Sequence, residues 1–224
     1  MMKLEEIHQL IQQGQYEKAL QASFDNIEAY PKEIENYINA GIILAEANEI
    51  EKSERFFQRA ITLEPENGSV YYNFANVYFN ENRFQDAIKL YQLAKQKGFD
   101  TKDTNFMIGL SFLQLDAKKE ALPYLMRAAE IDEAFEDIEL QFQYALVLCE
   151  LELFDQAIPI LNKILEINPQ HADAQYNLTL AVYMKNEDID VAIKGFERAI
   201  LMDEDHLLSQ HALKTFKAIR DEEG

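Results

Sequence analysis

The residues able to act as nucleophiles, acid–base groups or metal ligands are few and scattered along this chain. There are four histidines and a single cysteine, Cys149. His206 and His211 stand five apart, so on a helix they point to different faces and make a poor metal pair. The neighbours of Cys149, in LVLCELEL, are apolar or acidic, whereas a reactive thiolate needs a nearby base or positive charge. This pattern predicts neither a catalytic centre nor a metal site, and we expect the chain not to be an enzyme.

Short segments that could hold a phosphate or a calcium ion also lack the required spacing. GSVYYN at residue 68 and GFDTKD at residue 98 have neither a Lys-Ser/Thr pair nor a preceding strand. DEAFED and NEDID lack the central glycine and the correctly placed glutamate of a calcium loop. We therefore expect no cofactor.

Composition and charge narrow the class of partner. The 224 residues are 48% hydrophobic and 27% charged, which is typical of a folded domain, and the net charge of −19 disfavours nucleic acid and anionic membranes. A single cysteine leaves no internal disulfide. The start, MMKLEEIHQLIQQG, lacks the basic region of a signal peptide, and no apolar run reaches the length of about 18 residues that a transmembrane helix needs. These features favour a cytoplasmic protein.

The elements that must position any functional residue are predicted by an internal repeat. With seven glycines and five prolines, the chain has too few turn residues for many hairpins, so helices are favoured. Apolar residues fall at helical spacing in pairs of segments joined by a polar turn, as in 68–80 and 84–96. Small residues recur about every 34 positions where two such helices would cross closely. One such column is Ala19, Ser53, Ala87, Ala121, Ala157 and Ala192.

A period of 34 with these small residues resembles the tetratricopeptide repeat (TPR) family. The third repeat carries most of its motif, with Tyr71, Phe74, Ala75, Tyr78, Phe84, Ala87, Tyr91 and Ala94. The resemblance implies an all-α, right-handed superhelical solenoid, which we expect to form one domain over 1–224. Its predicted repeats are 1–33, 34–67, 68–101, 102–137, 138–171 and 172–205, followed by a capping helix over 206–221.

Two irregularities stand out against this repeat. IDEAFED, residues 131–137, lengthens the joint between the fourth and fifth repeats, and the sequence leaves open whether this joint is a hinge. Pro123 and Pro159 occupy matching places early in second helices, where we expect slight distortion rather than a break.

The resemblance also implies where a ligand would bind. In TPR domains the first helix of each pair lines a concave groove, and ligands contact its second, fifth, sixth, ninth, twelfth and thirteenth positions. In this sequence the candidate groove residues are Asn39, Ile42, Tyr72, Asn73, Asn76, Phe79, Phe106, Leu110, Phe142, Tyr176, Asn177 and Tyr183. Asparagine can donate to and accept from a peptide backbone, and rings would supply apolar anchoring. The same asparagines also suit a purely structural role, since the typical TPR unit carries them.

The expected partner is a protein or peptide with apolar anchors and Lys or Arg, since Asp103, Glu139, Glu150 and Asp173 fall at groove positions. No lysine or arginine occupies the positions that some TPR domains use to clamp a C-terminal carboxylate, so that mode is not expected. The resulting function is an interaction scaffold or adaptor, of the co-chaperone or assembly-factor type. The alternative is an architectural protein that self-associates through its C-terminal helix or convex face. We expect a monomer or a weak homodimer.

Overall fold

The computed structural model of the protein describes residues 4–223, and within them it contains thirteen α-helices and no strand. Residues 1–3 of the first predicted repeat and Gly224 lie outside the described residues. The helices are α1 Leu4–Gln12, α2 Tyr16–Ala29, α3 Ile34–Glu46, α4 Ile50–Leu63, α5 Gly68–Asn80, α6 Phe84–Gln96, α7 Lys102–Leu113, α8 Lys118–Ile131, α9 Ile138–Glu150, α10 Phe154–Ile167, α11 Ala172–Asn186, α12 Ile189–Met202 and α13 Leu207–Glu223. The prediction of six helix–turn–helix repeats followed by one further helix is confirmed.

A left-handed residue ends the first helix of every repeat. These residues are Gly14, Asn48, Asn82, Asp116, Glu152 and Glu187, with φ between 54° and 69°. Within the third turn, the Asn82 N–H donates to the Phe79 carbonyl and the Arg83 N–H donates to the Tyr78 carbonyl. Such bonds satisfy carbonyls left over at the helix end, and they reverse the chain in a few residues.

The helices form two compact units, residues 1–117 and residues 118–224. In the first unit, the predicted small residues lie where paired helices cross. Ser53 is fully buried on α4 and its hydroxyl donates to the Gly41 carbonyl of α3 at 2.7 Å. A Cβ at Gly41 would lie 2.7 Å from the Phe57 ring, so only glycine at this position lets α3 and α4 pack this closely. The predicted single domain over 1–224 stays a prediction.

The second unit uses the same small column, but its last helix pair is built differently. Ala121 and Ala157 are fully buried and Ala192 is 1% exposed. On α11, Thr179 takes the place where the second to fifth repeats carry glycine or alanine, and Gly195 on α12 faces it. A Cβ at Gly195 would come within 2.5 Å of both γ atoms of Thr179. In this pair the glycine is on the second helix and the larger residue is on the first, which is the reverse of the arrangement in α3 and α4.

Two further predictions concern the backbone of this unit. Pro123 lies within α8 and Pro159 within α10, and both helices continue past the proline, so the expectation that neither breaks its helix is confirmed. At the lengthened joint, the buried Asp132 carboxylate accepts the Glu136 and Asp137 N–H groups and the Gln141 side-chain amide at 3.1–3.3 Å. Three donors on one carboxylate give this joint a defined conformation.

Within residues 4–223, no helix combines the length and the apolar character needed to cross a membrane.

Candidate functional site

The candidate residues of the first unit lie on α3, α5 and α7, and α5 contributes the most. Tyr72, Asn73, Asn76 and Phe79 share one face of α5 because their spacing follows the helical period. All four are half-buried, so part of each side chain reaches solvent. Phe79 rests edge-on against Phe84, with ring centroids 5.4 Å apart. This face is therefore fixed by packing and remains accessible.

Asn76 holds an aromatic ring of the neighbouring helix in place. Its Oδ1 accepts the hydroxyl of Tyr91 at 2.6 Å. The Tyr72 ring lies 5.7 Å from that of Tyr91 and 5.3 Å from that of Phe99. Burial raises the pKa of Tyr72, and the charge of Asp103 raises it further. Through its bond to Tyr91 of α6, Asn76 links the two helices of the third repeat and so acts within the scaffold.

Asn73 and Asn177 share a different arrangement. Each donates one side-chain N–H to a carbonyl four residues earlier in its own helix, Asn73 to Ser69 and Asn177 to Asp173, both at 2.8 Å. These bonds orient the two amides. An asparagine amide offers two N–H donors and an oxygen acceptor, so each keeps one donor and the acceptor for another group.

Exposure separates the remaining candidates. Asn39 is 4% exposed and Phe142 is 8% exposed, so in this structure neither offers appreciable surface to a ligand. The Phe142 ring lies 4.7 Å from that of His171. The half-buried apolar candidates on α3 and α7 are Ile42, Phe106 and Leu110.

The candidate residues of the second unit lie on α9 and α11. The Tyr176 ring lies 5.7 Å from the rings of both Phe196 and His206, and burial raises the pKa of Tyr176. Tyr183 meets Phe216 of α13 edge-on at 4.6 Å. Both tyrosines are half-buried. The C-terminal helix thus supports one side of the α11 face.

Sequence reasoning missed the role of His206. Its Nδ1 accepts the Ser209 N–H at 3.2 Å, which caps the first turn of α13, and its Nε2 contacts Asp173 Oδ1 at 3.1 Å. A signal for this role is present in the sequence, because residues with an acceptor side chain stand immediately before several first helices. They are Asn67, Thr101, Asp137, His171 and His206, and each accepts a backbone N–H of the helix that follows.

Cys149 shows no sign of activation. The thiol is half-buried, and burial together with the charge of Glu150 raises its pKa to about 11. Nearby, Glu150 forms an ion pair with Lys118 at 3.4 Å. At neutral pH the side chain is therefore a protonated thiol, which is a poor nucleophile.

A sequence profile described as tetratricopeptide repeat matches residues 34–67, 103–135 and 138–171, and a second profile of that description matches 56–89. These segments cover more than half of the chain. The chain belongs to the tetratricopeptide repeat family, and proteins of this family mediate protein–protein interactions. A comparison with curated proteins gives no match.

Among solved structures, YrrB, described as a TPR protein with an unusual peptide-binding site, is 31% identical in sequence. The match covers 87% of this chain and 99% of YrrB, with a TM-score of 0.77. PilF of Pseudomonas aeruginosa matches with a TM-score of 0.72 at 15% identity, over 92% of this chain and 93% of PilF. MamA matches with a TM-score of 0.65 at 20% identity, over 75% of this chain and 90% of MamA. The latter two support the helical repeat fold alone.

Proposed function

We propose that this protein is an interaction scaffold that holds a peptide segment of another protein against the first helices of its repeats. The observation that carries the proposal is the state of Asn73 and Asn177. Each amide is oriented by one bond to its own helix and keeps a donor and an acceptor. A peptide backbone presents the complementary acceptor and donor, and each such bond contributes about 0.5–1.5 kcal/mol net.

The half-buried rings beside these amides support the same proposal. Tyr72 and Tyr176 are held by neighbouring rings and each keeps an accessible part. Aromatic side chains that are already immobilised lose little entropy on binding, so they suit the anchoring of apolar ligand residues. The similarity to YrrB, whose description includes a peptide-binding site, also favours a peptide as the ligand.

The charges of the second unit indicate the chemistry of that peptide. Residues 118–224 carry 22 acidic and 10 basic side chains. Glu139, on the candidate face of α9, accepts the neutral side-chain amide of Gln143 at 2.8 Å. A neutral amide does not balance the charge of a carboxylate, so this position suits a cationic partner. We therefore propose a ligand segment that combines apolar anchors with Lys or Arg, which fits an adaptor, co-chaperone or assembly factor.

A random library of 15-residue peptides displayed on phage would test the proposal. Selection on the wild-type protein should enrich peptides that bind a Tyr72→Ala/Asn73→Ala/Asn177→Ala variant at least about threefold more weakly, since the variant removes a polar contact from the candidate face of each unit and an anchor from that of the first. The matched control is Arg59→Ala/Gln85→Ala/Glu166→Ala, three exposed residues on second helices. Circular dichroism would establish that both variants are folded. Equal binding by all three proteins, or no enrichment at all, would contradict the proposal.

Raising the salt concentration should slow association of the selected peptides, because exposed charges lose their long-range attraction within a screening length of about 8 Å at physiological ionic strength. Association rates that do not change with salt would remove the Lys/Arg requirement and leave the apolar anchors.

Self-association is a second candidate function, and one group of residues favours it. Around the turn between α12 and α13, Leu201 is 84% exposed, Leu207 is 75% exposed and Leu208 is 57% exposed. A contact between copies would bury these leucines. Sedimentation velocity over a hundredfold concentration range would detect a dimer, and a Leu201→Ser/Leu207→Ser variant should abolish it. A constant monomer mass would rule this candidate out.

A further inference from the structure

Three residues of α11 place a carboxylate, a ring and an amide side by side. Asp173, Tyr176 and Asn177 are spaced at i, i+3 and i+4, so they share one face of the helix. The Asp173 side chain is 58% exposed, and the Tyr176 and Asn177 side chains are half-buried beside it. The carboxylate is therefore the most accessible polar group of this face.

His206 fixes the position of that carboxylate. Its Nδ1 accepts the Ser209 N–H at 3.2 Å and lies 2.7 Å from the Ser209 hydroxyl. Its Nε2 lies 3.1 Å from Asp173 Oδ1, where an N–H on this nitrogen donates to the carboxylate. His206 itself is buried and packs against the Tyr176 ring. Asp173 is consequently held in place by the imidazole while its side chain stays 58% exposed.

Three other acidic residues of the second unit are paired with lysine instead. Asp155 pairs with Lys185, Glu197 pairs with Lys217 at 2.8 Å, and Glu150 pairs with Lys118. Asp173 also gains from its place in the first turn of α11, where the helix dipole favours a negative charge. The helix dipole does not explain why His206, a buried residue that caps α13, also contacts this carboxylate.

We infer that Asp173, Tyr176 and Asn177 form a subsite for a lysine or arginine side chain of the bound peptide, with His206 as the residue that positions Asp173. Asp173 Oδ2 receives the cationic group, and the face of the Tyr176 ring receives the stem or the cation itself. The remaining donor and acceptor of Asn177 bond the peptide backbone next to that residue. This subsite rests on the proposed function and names its specificity-determining carboxylate.

A thermodynamic cycle on one selected peptide tests the subsite. The strongest binder from the 15-residue library is synthesised with its basic residue intact and with that residue replaced by methionine. On the wild-type protein the replacement should weaken binding about fivefold or more, the size of one partly screened charge pair. On Asp173→Asn the same replacement should change affinity less than about twofold. Glu166→Gln, which removes an exposed charge from α10, should behave as the wild type.

A second variant tests the positioning role of His206. In His206→Asn the side chain still accepts the Ser209 N–H and caps α13, but it is too short to reach Asp173. On this variant, replacing the basic residue of the peptide by methionine should weaken binding by a factor between those for the wild type and for Asp173→Asn. The thermal midpoint of the variant should stay close to that of Asp173→Asn.

Equal costs on wild type and Asp173→Asn would overturn the subsite, and so would selected peptides with no enriched basic residue. Both results leave the proposed function standing as long as the peptides still depend on Tyr72, Asn73 or Asn177. A library that yields no such peptide would overturn the proposed function and the subsite together.

Discussion

The two compact units meet the same backbone requirement with different residues. In the first unit the left-handed positions are filled by Gly14, Asn48, Asn82, Gly98 and Asp116, residue types that adopt this conformation at little cost. In the second unit they are Phe135, Glu152 and Glu187. Glutamate and phenylalanine have no local compensation for a positive φ, at a cost of roughly 1–2 kcal/mol each. The second unit therefore contains more backbone strain, and its packing and hydrogen bonds must offset it.

The two units also differ in their balance of acidic and basic residues, and the second unit is the more acidic. Residues 1–117 carry 18 acidic and 11 basic side chains, against 22 and 10 in residues 118–224. The first unit engages Asn76 within its own scaffold, whereas Asp173 in the second unit is held by His206 and stays 58% exposed. The two units therefore differ in the residues at their left-handed turns and in their balance of charge, whereas Asn73 and Asn177 are oriented in the same way in both.

The largest effect is expected at the lengthened joint of the second unit. Asp132→Ala would leave two backbone N–H groups and the Gln141 amide without their acceptor and should lower the free energy of unfolding by about 3 kcal/mol. Urea denaturation followed by circular dichroism would measure the change. A loss below about 1 kcal/mol would show that the joint does not depend on this carboxylate. The exposed Glu133→Ala, in the same joint, is the control.

A second prediction tests the close packing of Gly195 on α12 against Thr179 on α11. Gly195→Ala should destabilise the protein by about 2 kcal/mol, because its Cβ meets Thr179 at 2.3–3.0 Å. On a Thr179→Ala background the same change should cost less than half as much, since the two closest atoms are then gone. Equal costs on both backgrounds would mean that another neighbour of Gly195 sets the distance.

The cysteine provides a probe of the second unit alone. With a pKa raised to about 11 and half of its surface buried, Cys149 should react with iodoacetamide at pH 8 at least about tenfold more slowly in the folded protein than in guanidinium. The rate should rise steeply with pH up to about 11, because the thiolate is the reactive form. A folded-state rate equal to the unfolded one would show that α9 opens readily.

The smallest effect concerns the strained turns themselves. Glu152→Gly should stabilise the protein by about 0.5–1 kcal/mol, because glycine adopts φ near +60° without a steric cost. Asn82→Gly in the first unit should change the free energy of unfolding by only a few tenths of a kcal/mol, since asparagine already tolerates this conformation. Thermal midpoints of the two variants would compare them directly, and equal shifts would remove the proposed difference in strain.

Much of the candidate face could be predicted from sequence because it depends on periodicity. Residues three and four apart share a helix face, so the spacing of Tyr72, Asn73 and Asn76 places them together on α5 before any packing is known. The exposure of a side chain does not follow from this spacing alone. Asn39 satisfies the same spacing as Asn73, yet it is buried in the structure, because exposure depends on how closely the neighbouring helices approach.

The sequence by itself determined the helical repeat. Its period, the buried column of small residues and the turn residues all follow from local spacing and from the volume available where two helices cross. Only the tertiary structure decided which partner each side chain takes. His206 meets Asp173 from 33 residues away, and Gly195 faces Thr179 from the next helix. Such contacts depend on the axial and rotational setting of neighbouring helices, which is fixed by close packing of whole side chains and which a local pattern does not encode.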